Sequence, residues 1–287
     1  MPSTRTAAHG AHRNAAVLML AAAAVLWSLG GLLIKSVELH PLAIAGVRSS
    51  VALLVILCFV GKPRFNWSRA QLGAALAYAA TVILFVAANR LTTAANAILL
   101  QFTSPIYVAL LAQKFLGEKT STLDWMTIAT TMGGVALFFM DLLSPAGMLG
   151  NVLALLSGVS FATLVVLLRS QKEGSPILSI LLGNGVTALI GLPFLTLGLP
   201  VAADWLPLLV LGVVQLGIPY ILYSLAIKHV SALDAILIPI LEPMLNPVWV
   251  FLVLGEVPGQ WALVGGVIVM ASVTIRHVHV SRANTPA

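Results

Sequence analysis

The sequence predicts an all-α polytopic membrane protein with ten transmembrane helices, arranged as two inverted five-helix repeats. Three observations predict it. Hydrophobic residues fill 60% of the 287 positions and charged residues only 8%, against about 25% charged in an ordinary soluble chain; mean hydropathy is +1.04. The apolar residues fall into runs of roughly 17–24, the length that spans a hydrocarbon core about 30 Å thick. A segment near residue 100 also returns near residue 240 at a constant offset.

The first five runs lie at 15–36, 42–61, 70–89, 93–115 and 124–141. The second five lie at 147–168, 176–198, 205–227, 231–254 and 259–276. Arg5 and Arg13 ahead of the apolar stretch Ala15 to Leu26 resemble a secretory signal. That stretch recurs as the sixth run, so it is read as the first membrane helix. Gly61-Lys62-Pro63-Arg64 ends the second run, Gly117-Glu118-Lys119 ends the fourth, and Gly174-Ser175-Pro176 opens the seventh. The connections are too short for a soluble domain. The expected organisation is a tail at 1–14, a first repeat at 15–141, a second at 147–276 and a tail at 277–287.

A net charge of +6 would suggest nucleic acid in a soluble protein. Here the positive-inside bias accounts for it, and no nucleic-acid partner is expected. With the N-terminus inside, Arg5, Arg13, Lys62, Arg64, Arg69, Lys114, Lys119, Arg169, Lys172, Lys228, Arg276 and Arg282 fall on the inner side. Lys35, Arg48 and Arg90 fall outside or in an outer half-helix, a ratio of 12 to 3. Both termini are therefore expected in the cytoplasm of a bacterial inner membrane. Cys58 stands alone in an apolar run, which excludes a disulfide framework and a cysteine metal site. Asn66-Trp67-Ser68 fits a glycosylation acceptor but falls in an inner loop and is read as chance.

The duplication is read by laying Ala94–Glu118 over Ser231–Glu256. Pro105 falls on Pro243, Gly117-Glu118 on Gly255-Glu256, Asn96 on Asp234 and Ser104 on Glu242, all at an offset of 138. At 134, Trp27 falls on Phe161 and Lys35 on Arg169. An odd number of helices per copy makes the second copy enter from the opposite side, about a pseudo-two-fold axis in the membrane plane. Ser104 and Glu242 each lie about 11 residues, or roughly 17 Å, into their helix. Both should reach the midplane close to each other.

The fourth run ends in Leu116-Gly117-Glu118, the ninth carries Leu241-Glu242-Pro243 and ends in Leu254-Gly255-Glu256, and the eighth ends in Tyr220 to Lys228. With these paired motifs the whole chain resembles the drug/metabolite transporter superfamily, EamA type. The resemblance implies ten helices in two inverted bundles and alternating access around a central pocket. That pocket would be built mainly from the first, third, fourth, sixth, eighth and ninth helices. It implies export of amino acids or similar metabolites, as in the YddG-like group, with a multidrug or lipophilic-cation exporter as the alternative. Members that carry organic phosphates use basic residues in the late helices. Here the ninth has none and Arg276 stands only at the cytoplasmic end of the tenth, which argues against phosphorylated substrates.

The candidate substrate-binding residues follow from the broken helices. Pro239, Pro243 and Pro247 each remove an N–H and unpair a carbonyl one turn back, so this helix needs a wet or protein-lined face. Glu242 is the one acid placed deep in the membrane, where an ionisable group is costly and functional by default. It is read as a proton carrier, as a counter-charge for a substrate amine, or as a structural hydrogen-bonding group. Asn246 follows one turn on. Gln101 and Ser104 stand opposite in the fourth helix, with Thr103 as a helix contact. Trp27, Tyr78, Phe161 and Tyr223 offer aromatic walls, and Gln215 and Tyr220 join them. Glu118 and Glu256 end helices as solvated or capping groups. Gly133-Gly134 and Gly265-Gly266 permit close helix packing, either internal or in a weak homodimer. No Walker A, His-Glu-x-x-His, paired membrane aspartates or Ser/His pair occurs. The expected partners are a small-molecule substrate and the lipid bilayer, with proton coupling as one energy source. No cofactor, metal or catalytic residue is expected. An intramembrane enzyme and a scaffold are the readings from other classes.

Overall fold

The computed structural model describes residues 3–138, 140, 147–245 and 260–283. The first span comprises α1 (Ser3–Trp27) and α2 (Gly30–Lys35), the second α3 (Pro41–Val60) and the third α4 (Arg69–Leu91). The fourth is divided into α5 (Ala94–Gln101) and α6 (Ser104–Leu116), and α7 (Thr122–Phe138) is the fifth. In the second repeat, α8 (Met148–Ser170) is the sixth span. The seventh is α9 (Pro176–Gly191) with a 3-10 extension, Leu192–Leu197. The eighth is α10 (Ala202–Val210), a π-helical segment Leu211–Gly217 and α11 (Ile218–Ala226). The ninth begins with α12 (Ala232–Leu237), narrows to a 3-10 turn at Ile238–Ile240 and continues as α13, described over 241–245. The tenth is α14 (Gln260–Ala283).

Eight described spans are long and apolar enough to cross a membrane. The other two are α7, described over 17 residues, and the ninth, interrupted at Pro239. Residues 3–14, outside the apolar run, are helical, and α14 runs past Arg276 to Ala283. Both are extensions of a helix beyond the bilayer, where hydropathy carries no signal.

Local chemistry starts the helices where the runs begin. The hydroxyl oxygens of Ser68, Thr93 and Ser231 accept from the backbone N–H of Gln71, Asn96 and Asp234. Each satisfies a donor that the first helical turn would leave unpaired. Thr93 and Ser231 are mates across the repeat, so the two broken helices start on the same device.

Packing obeys the same symmetry. The third span lies on the sixth and the first on the eighth; the fourth lies on the sixth and the first on the ninth. The second pairs with the seventh and the fifth with the tenth, so both of these contacts sit on the pseudo-axis. Where the second and seventh cross, a Cβ on Gly46 would come within 2.6 Å of the Gly191 backbone, so only two glycines allow this approach. Gly134 likewise meets Gly265, Ile268 and Val269 of α14, a contact inside the chain, while a Cβ on Gly133 would meet nothing within 4 Å. Leu54, Leu76, Leu110, Leu189, Leu206 and Val267 stay exposed. Apolar side chains on the outside of a polytopic membrane protein face lipid rather than water.

The two ends of the bundle are tied by different chemistry among the described residues. At one end the Arg169 side chain donates to Glu118 at 2.9 Å and to the carbonyls of Ile227 and Lys228. Glu118 also accepts from the Ala232 N–H at 2.8 Å, which caps α12. At the same end Arg276 bridges Asp124 and Asp234, and Arg13 approaches Asp234 at 3.9 Å. At the other end the corresponding contact is neutral: Asn96 donates to Asn151 at 3.0 Å. Glu118 is therefore a capping group and an ion-pair partner at once; Glu256 lies outside the described residues.

Candidate central binding site

The interruptions in the helices converge on one pocket. The first span breaks after Trp27, the fourth at residues 102–103, the eighth widens to a π-helix and the ninth narrows at Pro239. At or next to these breaks stand Trp27, Gln101, Gln215 and Glu242, which line the pocket. Together they border one pocket lined by aromatic, amide and charged side chains, the kind of concave site in which small molecules bind.

One wall is aromatic. Trp27 is 5% exposed and meets Tyr220 at 5.1 Å and Phe161 at 6.2 Å between ring centroids, both edge-on. Phe85, Val82 and Leu216 extend the apolar lining. Tyr78 and Tyr223 stand one layer behind. Tyr78 packs on Tyr220 at 4.8 Å and donates its hydroxyl to Asn184 of α9, while Tyr223 packs on Trp27 at 5.5 Å.

A second wall is neutral and polar. Gln101, the last residue of α5, donates through Nε2 to the Ser157 hydroxyl at 2.7 Å, and Ser157 donates to the Thr81 carbonyl at 3.0 Å. A Cβ on Gly158 would lie 2.8 Å from the Gln101 carbonyl oxygen, so this glycine allows α8 to touch the break in the fourth span.

The third wall is charged. Arg48 in α3 is 1% exposed, and its Nη1 donates to Gln215 Oε1 at 3.1 Å. Its Nε is enclosed without a hydrogen-bond acceptor among the described residues. Gln215 belongs to the π-helical segment, whose extra residue per turn swings this side chain toward α3. Gly30 lies against the Gln215 amide, leaving room for it. Glu242, just past the 3-10 turn, faces the same space. It forms neither a hydrogen bond nor an ion pair with another described residue, and Arg48 forms no ion pair.

Six of the residues singled out from sequence line this pocket: Trp27, Gln101, Phe161, Gln215, Tyr220 and Glu242. Tyr78 and Tyr223 are second-layer packing, because their helices turn the rings behind Tyr220 and Trp27. Ser104 is buried away from the pocket, with its hydroxyl unpartnered among the described residues, and does not mirror Glu242 across the site. Asn246 lies outside the described residues. Thr103 donates to the Leu100 carbonyl within its own helix break. Arg48 is not among the residues that the sequence puts in the site: an arginine in an outer half-helix is free to snorkel, to attract an anionic group or to pair with an acid, and the structure encloses it in the pocket. A signal was available, because an arginine seven residues inside a 20-residue apolar helix is about 10 Å from the nearer end.

Comparison with known proteins agrees with this architecture. The EamA-like transporter family matches twice, over residues 14–140 and 148–276. A protein of Archaeoglobus fulgidus described as an uncharacterized transporter is 30% identical over 261 residues, covering 88% of this chain and 92% of that protein. A solved structure described only as the crystal structure of a protein superimposes with a TM-score of 0.79. It covers 95% of this chain and 99% of its own at 16% identity, a likeness of fold.

Proposed function

We propose, for a chain that belongs to the EamA-like transporter family, secondary transport of amino acids or similar small amphipathic metabolites through the central pocket. The observation that supports it is the pocket itself, built where four spans are interrupted and walled by aromatic, amide and charged groups. An aromatic contact adds about 0.5–1.5 kcal/mol beyond area burial, and Trp27, Phe161 and Tyr220 present three such faces. The Gln101 amide and the Glu242 carboxylate are available to a polar head.

The two-fold packing supports a reading in which transport proceeds by alternating access. In this reading the ion-paired end, with Glu118, Arg169, Asp124, Arg276 and Asp234, is the closed cytoplasmic gate, and the neutral Asn96–Asn151 end opens first. Both termini lie in the cytoplasm, as the basic asymmetry favours, and the direction is export, carried over from the resemblance. The structural role for Glu242 loses ground, because its carboxylate ties no described helix to another. Glu242 is assigned to transport, as counter-charge or proton carrier.

Purified protein in liposomes tests the reading. Labelled phenylalanine or threonine is compared with a quaternary ammonium dye in the same vesicles. Entry of the amino acid supports the proposal; entry of the dye alone, with amino acids neither carried nor competing, moves the assignment to a lipophilic-cation exporter. Glu242→Gln separates the two roles of the acid: flux at the wild-type rate with unchanged pH dependence removes the proton-carrier role.

A further inference from the structure

Arg48 and Glu242 present opposite charges to one small pocket without pairing with each other. Burying an ion away from water costs several kcal/mol unless a partner compensates, and no described residue gives either one an ionic partner. Arg48 has five N–H donors and, among the described residues, uses one, on Gln215; its Nε is enclosed and meets no described acceptor. Its position is built: the π-helix aims Gln215, and Gly30 leaves space for that amide. Such a pair of separated, uncompensated charges is complementary to one chemical class.

We infer that the pocket selects zwitterions, with Arg48 as the carboxylate anchor, Glu242 as the ammonium anchor and Gln215 as the residue that positions Arg48. A solute with both charges compensates both ions. A simple amine leaves Arg48 unmatched and a simple carboxylate leaves Glu242 unmatched, so each is rejected by the group it fails to satisfy. The guanidinium fork suits a carboxylate bidentately, which places the neutral remainder of the solute against Trp27 and Tyr220. The inference rests on the transport reading and narrows it to charge selectivity.

Three solutes that share a phenyl ring and differ only in charge form the test: phenylalanine, phenethylamine and 3-phenylpropionate. Binding to the detergent-purified full chain is measured by calorimetry. Wild type should bind phenylalanine about 10- to 100-fold more tightly than either singly charged solute, the range that a hydrogen bond to a charged group covers. Arg48→Gln should lose this advantage for phenylalanine and, with the unmatched cation removed, bind phenethylamine more tightly than wild type does. Glu242→Gln should weaken phenylalanine and phenethylamine and, with the unmatched carboxylate removed, strengthen 3-phenylpropionate. Arg48→Lys, which keeps the charge and loses the fork, should fall between wild type and Arg48→Gln, and it serves if Arg48→Gln fails to fold. Equal wild-type affinity for phenylalanine and phenethylamine overturns the inference, as does a uniform loss for all three solutes in Arg48→Gln, or no binding by any of them. Flux of the dye or amine in liposomes would then keep the transporter reading standing by itself.

Discussion

Gly30→Ala adds one methyl group that touches no solute, and it tests how the charged wall is held. The new Cβ would lie 2.8 Å from Gln215 Nε2 and 3.2 Å from its Cδ. Ordinary contact needs roughly half an ångström more. The amide is the free end of a side chain, so it yields, and the direction open to it is away from α2. The Arg48–Gln215 hydrogen bond already measures 3.1 Å, near the upper end of the normal range for N–H···O, and has little length to lose. A hydrogen bond to a charged group is worth about 1.5–3 kcal/mol, so partial loss should reduce phenylalanine affinity by about tenfold. Alanine in place of glycine in α2 returns as much as ~1 kcal/mol of helix propensity, and the melting temperature should stay near that of wild type. Calorimetric titration of Gly30→Ala, Gln215→Ala and the double variant completes a cycle. The two effects should fail to add, because alanine at 215 removes what the methyl group displaces. Additive losses, or wild-type affinity in Gly30→Ala, would refute Gln215 as the link between α2 and Arg48.

Tyr78→Phe leaves the edge-on ring contact with Tyr220 and strands the buried Asn184 Oδ1. It should cost about 1–3 kcal/mol of stability in a denaturation titration and leave the preference among the three phenyl solutes unchanged. Glu118→Ala uncaps α12 and deprives Arg169 of its ionic partner. A lost cap costs about 0.5–2 kcal/mol, and because the damage is confined to one end, a cysteine placed in the pocket should label faster from the cytoplasmic side. For orientation, Leu199→Cys in a Cys58→Ala background should react with an impermeant reagent from outside intact cells, and Lys62→Cys only after permeabilisation. The reverse pattern would invert the topology. Both positions are exposed and lie at opposite ends of the bundle.

The spans, their pairing and the broken fourth and ninth helices were legible in the chain, because each is a one-dimensional signal. Run length answers to bilayer thickness, an odd-numbered duplication dictates inversion, and Pro105, Pro239 and Pro243 mark carbonyls that a regular helix cannot pair. Trp27, Phe161 and Glu242 were legible for the same reason, since aromatic or ionisable groups at mid-depth need an interior. Rotation about each helix axis was not. Whether Tyr78 or Tyr220 faces the pocket depends on how α4 and α11 pack on α9, and Asn184 holds the Tyr78 hydroxyl away from it. The π-helical segment Leu211–Gly217 carries no proline and reads as ordinary helix; the close passage of Gly212 and Gly217 against Val51 and Val55 belongs to the packed bundle alone. Arg48 shows the division most sharply. Charge counting sends a lone arginine to the nearest water, whereas packing through Gly46 and Gly191 turns α3 so that this side chain reaches Gln215 inside the protein. Sequence sets how deep a residue lies along the membrane normal, and tertiary contact decides which way it faces.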